Sequence, residues 1–183
     1  MPRAKHLLKN LYVDFAMPQI RIIYWDSCIF LAWLKDEKRQ NHEMDGVYEC
    51  VREVEIGKTR LITSVITKIE VYEADLSTEI KQKYDALLRR RSVQLLDQDL
   101  RISDLGRQIR EFYHRQSSID GLPELTTPDA THLATAIQYK ADNFWTFDDG
   151  RHGGRSLLSL NGNVAGHPLA ICKPIATQLR LNI

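Results

Sequence analysis

A three-layer α/β/α sandwich around a mainly parallel sheet is the fold this sequence predicts, on three observations. Short apolar runs rich in β-branched and aromatic residues alternate with stretches long enough for helices, the pattern of parallel α/β folds. Those stretches place apolar residues at i, i+3, i+4 and i+7, the spacing of a helix with one buried face. With 183 residues, 43% of them hydrophobic, the chain has material for one core of ordinary size.

Residues 1–19 show no clear period and are assigned to an N-terminal extension. Met17 stands just before the first strand signal, so removing residues 1–16 is expected to leave activity intact. Ile20, Ile22, Ile23, Tyr24 and Trp25 then form an apolar run suited to a buried strand. Ser27–Leu34 reads as a helix packed on both sides, and Val47, Val51 and Val54 mark a second helix that ends near Gly57. A short strand over 61–64 precedes helices over 65–74 and from Ser77, where Ile80, Tyr84, Leu87 and Leu88 share one face. Arg89, Arg90 and Arg91 close that helix and complement the negative end of its dipole, with phosphate contact as the alternative.

Val93–Leu96 is the third strand, followed from about Asp99 by a long helix presenting Ile102, Leu105, Ile109 and Phe112. Residues 117–127 read as a loop. Thr127 as N-cap and Pro128 as first helical residue open a helix running to about Lys140. Residues 143–146 form a fourth strand, 150–166 a Gly-rich loop with an apolar break at 157–160, and 169–172 a last strand before Pro174. Nothing divides the domain over 20–174, and 175–183 is a C-terminal tail.

Twenty-five Lys and Arg against 24 Asp and Glu leave a net charge of +1, so no uniform field exists to grip a long duplex. Contact with nucleic acid must be local. Three cysteines, Cys28, Cys50 and Cys172, are widely spaced with no Cys-x-x-Cys pair, which argues against a disulfide framework and a cysteine zinc site. A cytoplasmic protein is expected, without a membrane span, since no run of 18 apolar residues occurs.

In a parallel sheet, ligands bind beyond the carboxyl ends of the strands. Four acids stand there: Asp26 ends the first strand, Glu70 lies in the helix after the second, Asp129 opens the helix after the 117–127 loop, and Asp148 follows the fourth strand. Each also has a plain structural explanation. Asp26 could cap a helix, Glu70 could form a surface ion pair, Asp129 could favour a helix N-terminus, and Asp148-Asp149-Gly150 could make a turn. Helical geometry counts for the other side: Glu70 shares a face with Ile66, and Asp129 shares one with Leu133 and Ala136, so both carboxylates lean toward the core. Inward carboxylates repel each other and need protons or a cation. Oxygen donors favour Mg²⁺ or Mn²⁺ over zinc. His132, three residues after Asp129, reads as a satisfied buried histidine, with a ligand role as the alternative. Trp25, Trp33 and Trp145 read as core.

The motifs resemble those of PIN-domain nucleases over roughly residues 20–174. Tyr24-Trp25-Asp26-Ser27 matches the family's opening strand and first acid, and Thr63-Ser64 through Thr67-Lys68-Ile69-Glu70 its second. Pro128-Asp129-Ala130-Thr131-His132-Leu133-Ala134-Thr135-Ala136 matches the third, and Trp145-Thr146-Phe147-Asp148 the fourth. VapC-type toxins are similar in length and motif spacing. The resemblance implies a metal-dependent endoribonuclease leaving 5′-phosphate and 3′-hydroxyl ends, with Asp26, Glu70, Asp129 and Asp148 as catalytic and metal-binding acids. Ser27 or Thr146 would orient the cluster, and Asp149 is an additional or alternative ligand. Cys28 stands where the family often has Asn, so one polar contact to the cluster is expected to be lost. Lys68, Arg151 and Arg155 are candidate RNA contacts at the rim, each with ordinary solvated charge as the alternative. A small antitoxin and a second copy of the chain are the implied protein partners. Two rival classes remain: a PIN-like scaffold that binds RNA or protein without cutting, and an aspartyl-phosphate domain, for which Asp26-Ser27-Cys28 lacks the Asp-x-Asp of haloacid-dehalogenase-like phosphatases.

Overall fold

The apolar run that opens the domain becomes the middle of a five-stranded sheet. A computed structural model describes residues 20–151 and 153–176. The extension over 1–19, with Met17, and residues 177–183 of the tail lie outside the described residues. The strands are Arg21–Trp25 (β1), Thr59–Ser64 (β2), Val93–Leu96 (β3), Asn143–Trp145 (β4) and Ile171–Cys172 (β5). They lie in the order β3-β2-β1-β4-β5, and every pairing is parallel. β1 thus has β2 on one side and β4 on the other, the point at which strand order reverses and a crevice opens beyond the carboxyl ends.

Alternation along the strands builds the two cores. Ile23, Trp25, Leu61 and Trp145 face Ser27–Leu34 (α1), Glu43–Glu55 (α2) and Thr78–Leu88 (α4). Tyr24, Ile62, Phe144 and Ile171 face Leu100–Asp120 (α5) and Thr127–Gln138 (α6) on the other side. Trp25, Trp145 and Trp33 are all buried. Val65–Glu73 (α3) follows β2 directly, its first turn capped by Ser64, whose hydroxyl accepts the Ile66 N–H. Among the described residues no helix is long and apolar enough to cross a membrane.

Several boundaries differ from expectation, and the last two strands are shorter than expected, β4 ending at Trp145 and β5 starting at Ile171. β2 starts at Thr59, and α5 runs to Asp120, into the stretch expected to be loop. Ser117 supports the extra turn by bonding the Tyr113 carbonyl one turn back, and Gly121 ends it at φ 68°, with its N–H on the Ser117 carbonyl. The N-cap of α6 is Thr126, one residue earlier than expected: its hydroxyl accepts the Asp129 N–H, and Thr127 and Pro128 are already helical. At the far end of the chain, Pro174 and Ile175 lie so close to Gly46 of α2 that a Cβ there would stand 2.7 Å from the Ile175 nitrogen.

Candidate active site

Asp26 leaves β1 at the sheet's carboxyl edge and is 5% exposed. It occupies the N-cap position of α1, yet its side chain makes no capping bond. The carboxylate is bound instead by neighbours that fix its direction. Thr146 donates to Oδ2 at 2.8 Å, Ser27 to Oδ1 at 3.2 Å, and the Cys28 thiol to Oδ2 at 3.3 Å. Cys28 therefore supplies the polar contact that its place in the motif was expected to lose. Its Sγ also accepts the Phe147 N–H at 3.1 Å. Burial, with the Asp26 charge beside it, holds the thiol well above its ordinary pKa, so it remains a donor.

The other acids arrive from separate elements. Glu70, two turns into α3, accepts from His132 Nε2 at 2.8 Å, and the same nitrogen lies 3.8 Å from Asp26 Oδ1. One ring nitrogen of α6 thus spans carboxylates from β1 and α3. Burial alone would lower the His132 pKa, but the hydrogen bond to Glu70 and the charges of Asp26, Glu70 and Asp129 outweigh it and hold the imidazole above its ordinary value. Asp129 stands in the first turn of α6, where the Thr126 hydroxyl donates to its Oδ2. Burial raises its pKa, and the charges of Asp26 and Asp148 raise it further, against the Thr126 bond and His132.

Asp148 serves the loop as well as the cluster. Its N–H donates to Thr146 Oγ1 at 2.9 Å, while its carboxylate accepts the Gly150 N–H at 3.0 Å and the Leu157 N–H at 3.3 Å. The turn explanation for Asp148 therefore holds alongside its place near Asp129. Asp149 is paired with Arg151, whose Nε lies 2.6 Å away, and that bond pushes its carboxyl down to about 2. Among the described residues no three His, Cys, Asp or Glu side chains stand close enough to form a ready metal cage.

The three rim cations divide. Lys68 is exposed, with its amine 5.8 Å from the Tyr72 ring, and Arg151 is exposed beside Asp149. Arg155 is not a rim cation: it is 6% exposed, and its guanidinium bonds both oxygens of Asp120 at 3.1 Å and the Pro123 carbonyl at 2.8 Å. It ties the Gly-rich loop to the end of α5, a contact 35 residues back along the chain that no local pattern shows. Tyr24 stands in the opening motif, but its contact with His132 was not foreseen from the sequence. Its hydroxyl lies 2.7 Å from His132 Nδ1, and the available signal was a tyrosine inside a buried strand, which needs a partner for its hydroxyl.

Three solved structures share this architecture. The chain is similar to VapBC2 from Rickettsia felis bound to a DNA fragment from its promoter, at 14% identity and a TM-score of 0.52, over 82% of this chain and 98% of that one. It is similar to a toxin-antitoxin complex from Klebsiella pneumoniae at 17% identity and a TM-score of 0.52, over 84% and 98%. FitAcB from Neisseria gonorrhoeae aligns at 18% identity and a TM-score of 0.53, over 83% and 97%. No curated protein sequence gives a significant match. The PIN domain family model matches residues 23–152, a span that runs from β1 past Asp148 and carries all four acids, so the chain belongs to the PIN domain family.

Proposed function

We propose that this PIN domain is a divalent-metal-dependent endoribonuclease that hydrolyses phosphodiester bonds in RNA, and that a small antitoxin restrains it. The observation that carries this is the convergence of acids from separate elements at the carboxyl edge of the sheet, where His132 Nε2 lies 2.8 Å from Glu70 and 3.8 Å from Asp26. Asp26 is bonded by Ser27, Cys28 and Thr146, Glu70 by His132, Asp129 by Thr126 and Asp148 by the Gly150 and Leu157 N–H groups, so among the described residues the four acids are held by neutral donors and one histidine. Hard carboxylate oxygens suit Mg²⁺ or Mn²⁺, which commonly bind through one or two carboxylates, water and substrate phosphate rather than a full protein cage. Asp26 and Asp129 would hold the ion, with Glu70 and Asp148 completing the set directly or through water. When bound, it supplies Lewis acidity toward water and the scissile phosphate.

The protein's own part is orientation and charge. Ser27, Cys28 and Thr146 fix Asp26, and Thr126 fixes Asp129, so neither carboxylate has to be ordered at the moment of reaction. Lys68 and Arg151 meet the RNA backbone beside the acidic edge, and Asp149 restrains Arg151. The antitoxin is suggested by the toxin-antitoxin complexes of similar fold, and a second copy of the chain is a further candidate partner.

Single-stranded and structured RNA and DNA, offered with Mn²⁺, Mg²⁺ or chelator, test the function. Wild type is expected to cut RNA only with metal, and Asp26→Asn to lose the activity. Metal-independent cleavage, or cleavage that survives the substitution, refutes the mechanism; RNA binding with no cutting under any metal would favour the scaffold. A second measurement separates the basic residues. Lys68→Gln with Arg151→Gln is expected to flatten the salt dependence of RNA binding by about 0.7 in slope for each lost phosphate contact. Arg155→Met should lower thermal stability and leave that slope unchanged. Equal slopes for wild type and the Lys68, Arg151 double variant would remove both from the binding surface.

A further inference from the structure

Two buried side chains behind the acidic edge have no task in the function proposed above. Tyr24 and His132 are 0% and 1% exposed, and Tyr24 lies between a stacked Phe144 ring and the edge of the imidazole. A phenol and an imidazole this deeply enclosed persist where their polar atoms are satisfied. Here they are satisfied by one continuous chain. The Ser64 N–H donates to Tyr24 Oη at 3.0 Å, Oη lies 2.7 Å from His132 Nδ1, and Nε2 lies 2.8 Å from Glu70 Oε2. It starts at the fixed end of β2, passes through β1 and α6, and ends on the acid of α3.

The direction of the protons is set from the Glu70 end. A carboxylate only accepts, so Nε2 carries a proton, and Nδ1 of the neutral imidazole is left to accept from the Tyr24 phenol, whose oxygen accepts from Ser64. A neutral imidazole with Nδ1 accepting carries its proton on Nε2, and an imidazolium carries one there as well. In both forms an N–H faces Glu70.

We propose that Tyr24 and His132 are positioning residues for Glu70: together they fix an Nε2–H that holds the Glu70 carboxylate toward Asp26 before any cation arrives. The pair touches no substrate and acts through Glu70 alone. This inference rests on the nuclease function proposed above, and two of its readouts need no cleavage. In ¹⁵N NMR of the metal-free protein, at a pH where the imidazole is neutral, wild-type His132 is expected to show a protonated Nε2 and a hydrogen-bonded, unprotonated Nδ1. Tyr24→Phe should shift the Nδ1 resonance toward that of a nitrogen without a hydrogen bond. Mn²⁺ alone, titrated by electron paramagnetic resonance, should bind about tenfold more weakly to Tyr24→Phe and 10- to 100-fold more weakly to His132→Leu, the range for loss of a group that orients a metal ligand.

His132→Gln, whose side-chain amide can donate to Glu70, should recover most of the affinity. In cleavage assays the metal requirement should rise while the RNA KM stays within about twofold. A wild-type Nδ1–H tautomer, or Mn²⁺ affinity unchanged in Tyr24→Phe, overturns the proposal. If His132→Leu does not fold, Tyr24→Phe decides it, since that variant removes one oxygen and keeps the ring. Should wild type bind Mn²⁺ as expected and cut no RNA, the nuclease function fails and the positioning role stands.

Discussion

Asp129→Asn is expected to lower RNA cleavage about 100-fold or more while raising the melting temperature of the metal-free protein. The two effects have one cause. Asp129 is partly enclosed at the start of α6, and burial with the charges of Asp26 and Asp148 raises its pKa. A carboxyl whose folded pKa stands above its unfolded value adds stability below the unfolded pKa, and that contribution is lost as pH rises through the folded value. At neutral pH the ionised group therefore destabilises the metal-free protein. Asparagine keeps the shape and can still accept from Thr126, but it carries no charge to repel Asp26 or attract a cation. The check is a pair of melts in chelator. The variant should be the more stable at pH 7.5, and the gap should close as pH falls through the raised pKa of the wild-type carboxyl. A variant that melts lower than wild type at pH 7.5, or that cuts RNA normally, contradicts the account.

Phe30→Ala is expected to cost about 3–5 kcal/mol, the range for deleting a buried aromatic ring. Phe30 is fully buried in α1, edge-on to Trp25 at 5.1 Å and to Tyr84 of α4 at 5.4 Å. Its ring is the wedge between the sheet and two helices, and none of these neighbours is small enough to collapse into the space it would vacate. A loss of that size lowers the melting temperature by roughly 10 °C in a domain of this length. The damage should reach activity as well, because α1 begins at the residue after Asp26 and carries Ser27 and Cys28. Denaturant unfolding measures the first effect and cleavage at a temperature where both proteins are folded measures the second. A loss below about 1 kcal/mol would mean the ring is not a structural wedge.

The order of the fold was readable because each strand is a short apolar run closed by a polar residue, and each helix keeps one apolar face. Asp26 was visible as a charge ending the run Ile22-Ile23-Tyr24-Trp25, and Glu70 as an acid on the side of α3 that carries Ile66. Pairings across the chain were not readable. Tyr24 and His132 meet across 108 positions, and Arg155 finds Asp120 across 35. An arginine in a glycine-rich stretch has the local signature of a solvated charge, and only the folded path of α5 shows the carboxylate that receives it. The end of α5 was misjudged for a related reason: Ser117 and Ser118 favour loops by propensity, yet Ser117 is satisfied inside the helix by Tyr113 and held by Arg155. The polar contact of Cys28 was not readable because its neighbours Thr146 and Phe147 come from the stretch just beyond β4, 118 and 119 positions away.

The all-parallel sheet makes this centre a late product of biosynthesis. Its acids are spread from position 26 to position 148, and β4, which delivers the last of them, docks directly against β1 at the opposite end of the order of synthesis. A nascent chain still attached to the ribosome can close α1 on β1 and pair β2 with β3, but it holds no competent centre until residues 143–148 have emerged and found their place. Long-range pairings of this kind form slowly. The edge that gathers these acids is therefore assembled only after β4 has been made and has docked beside β1.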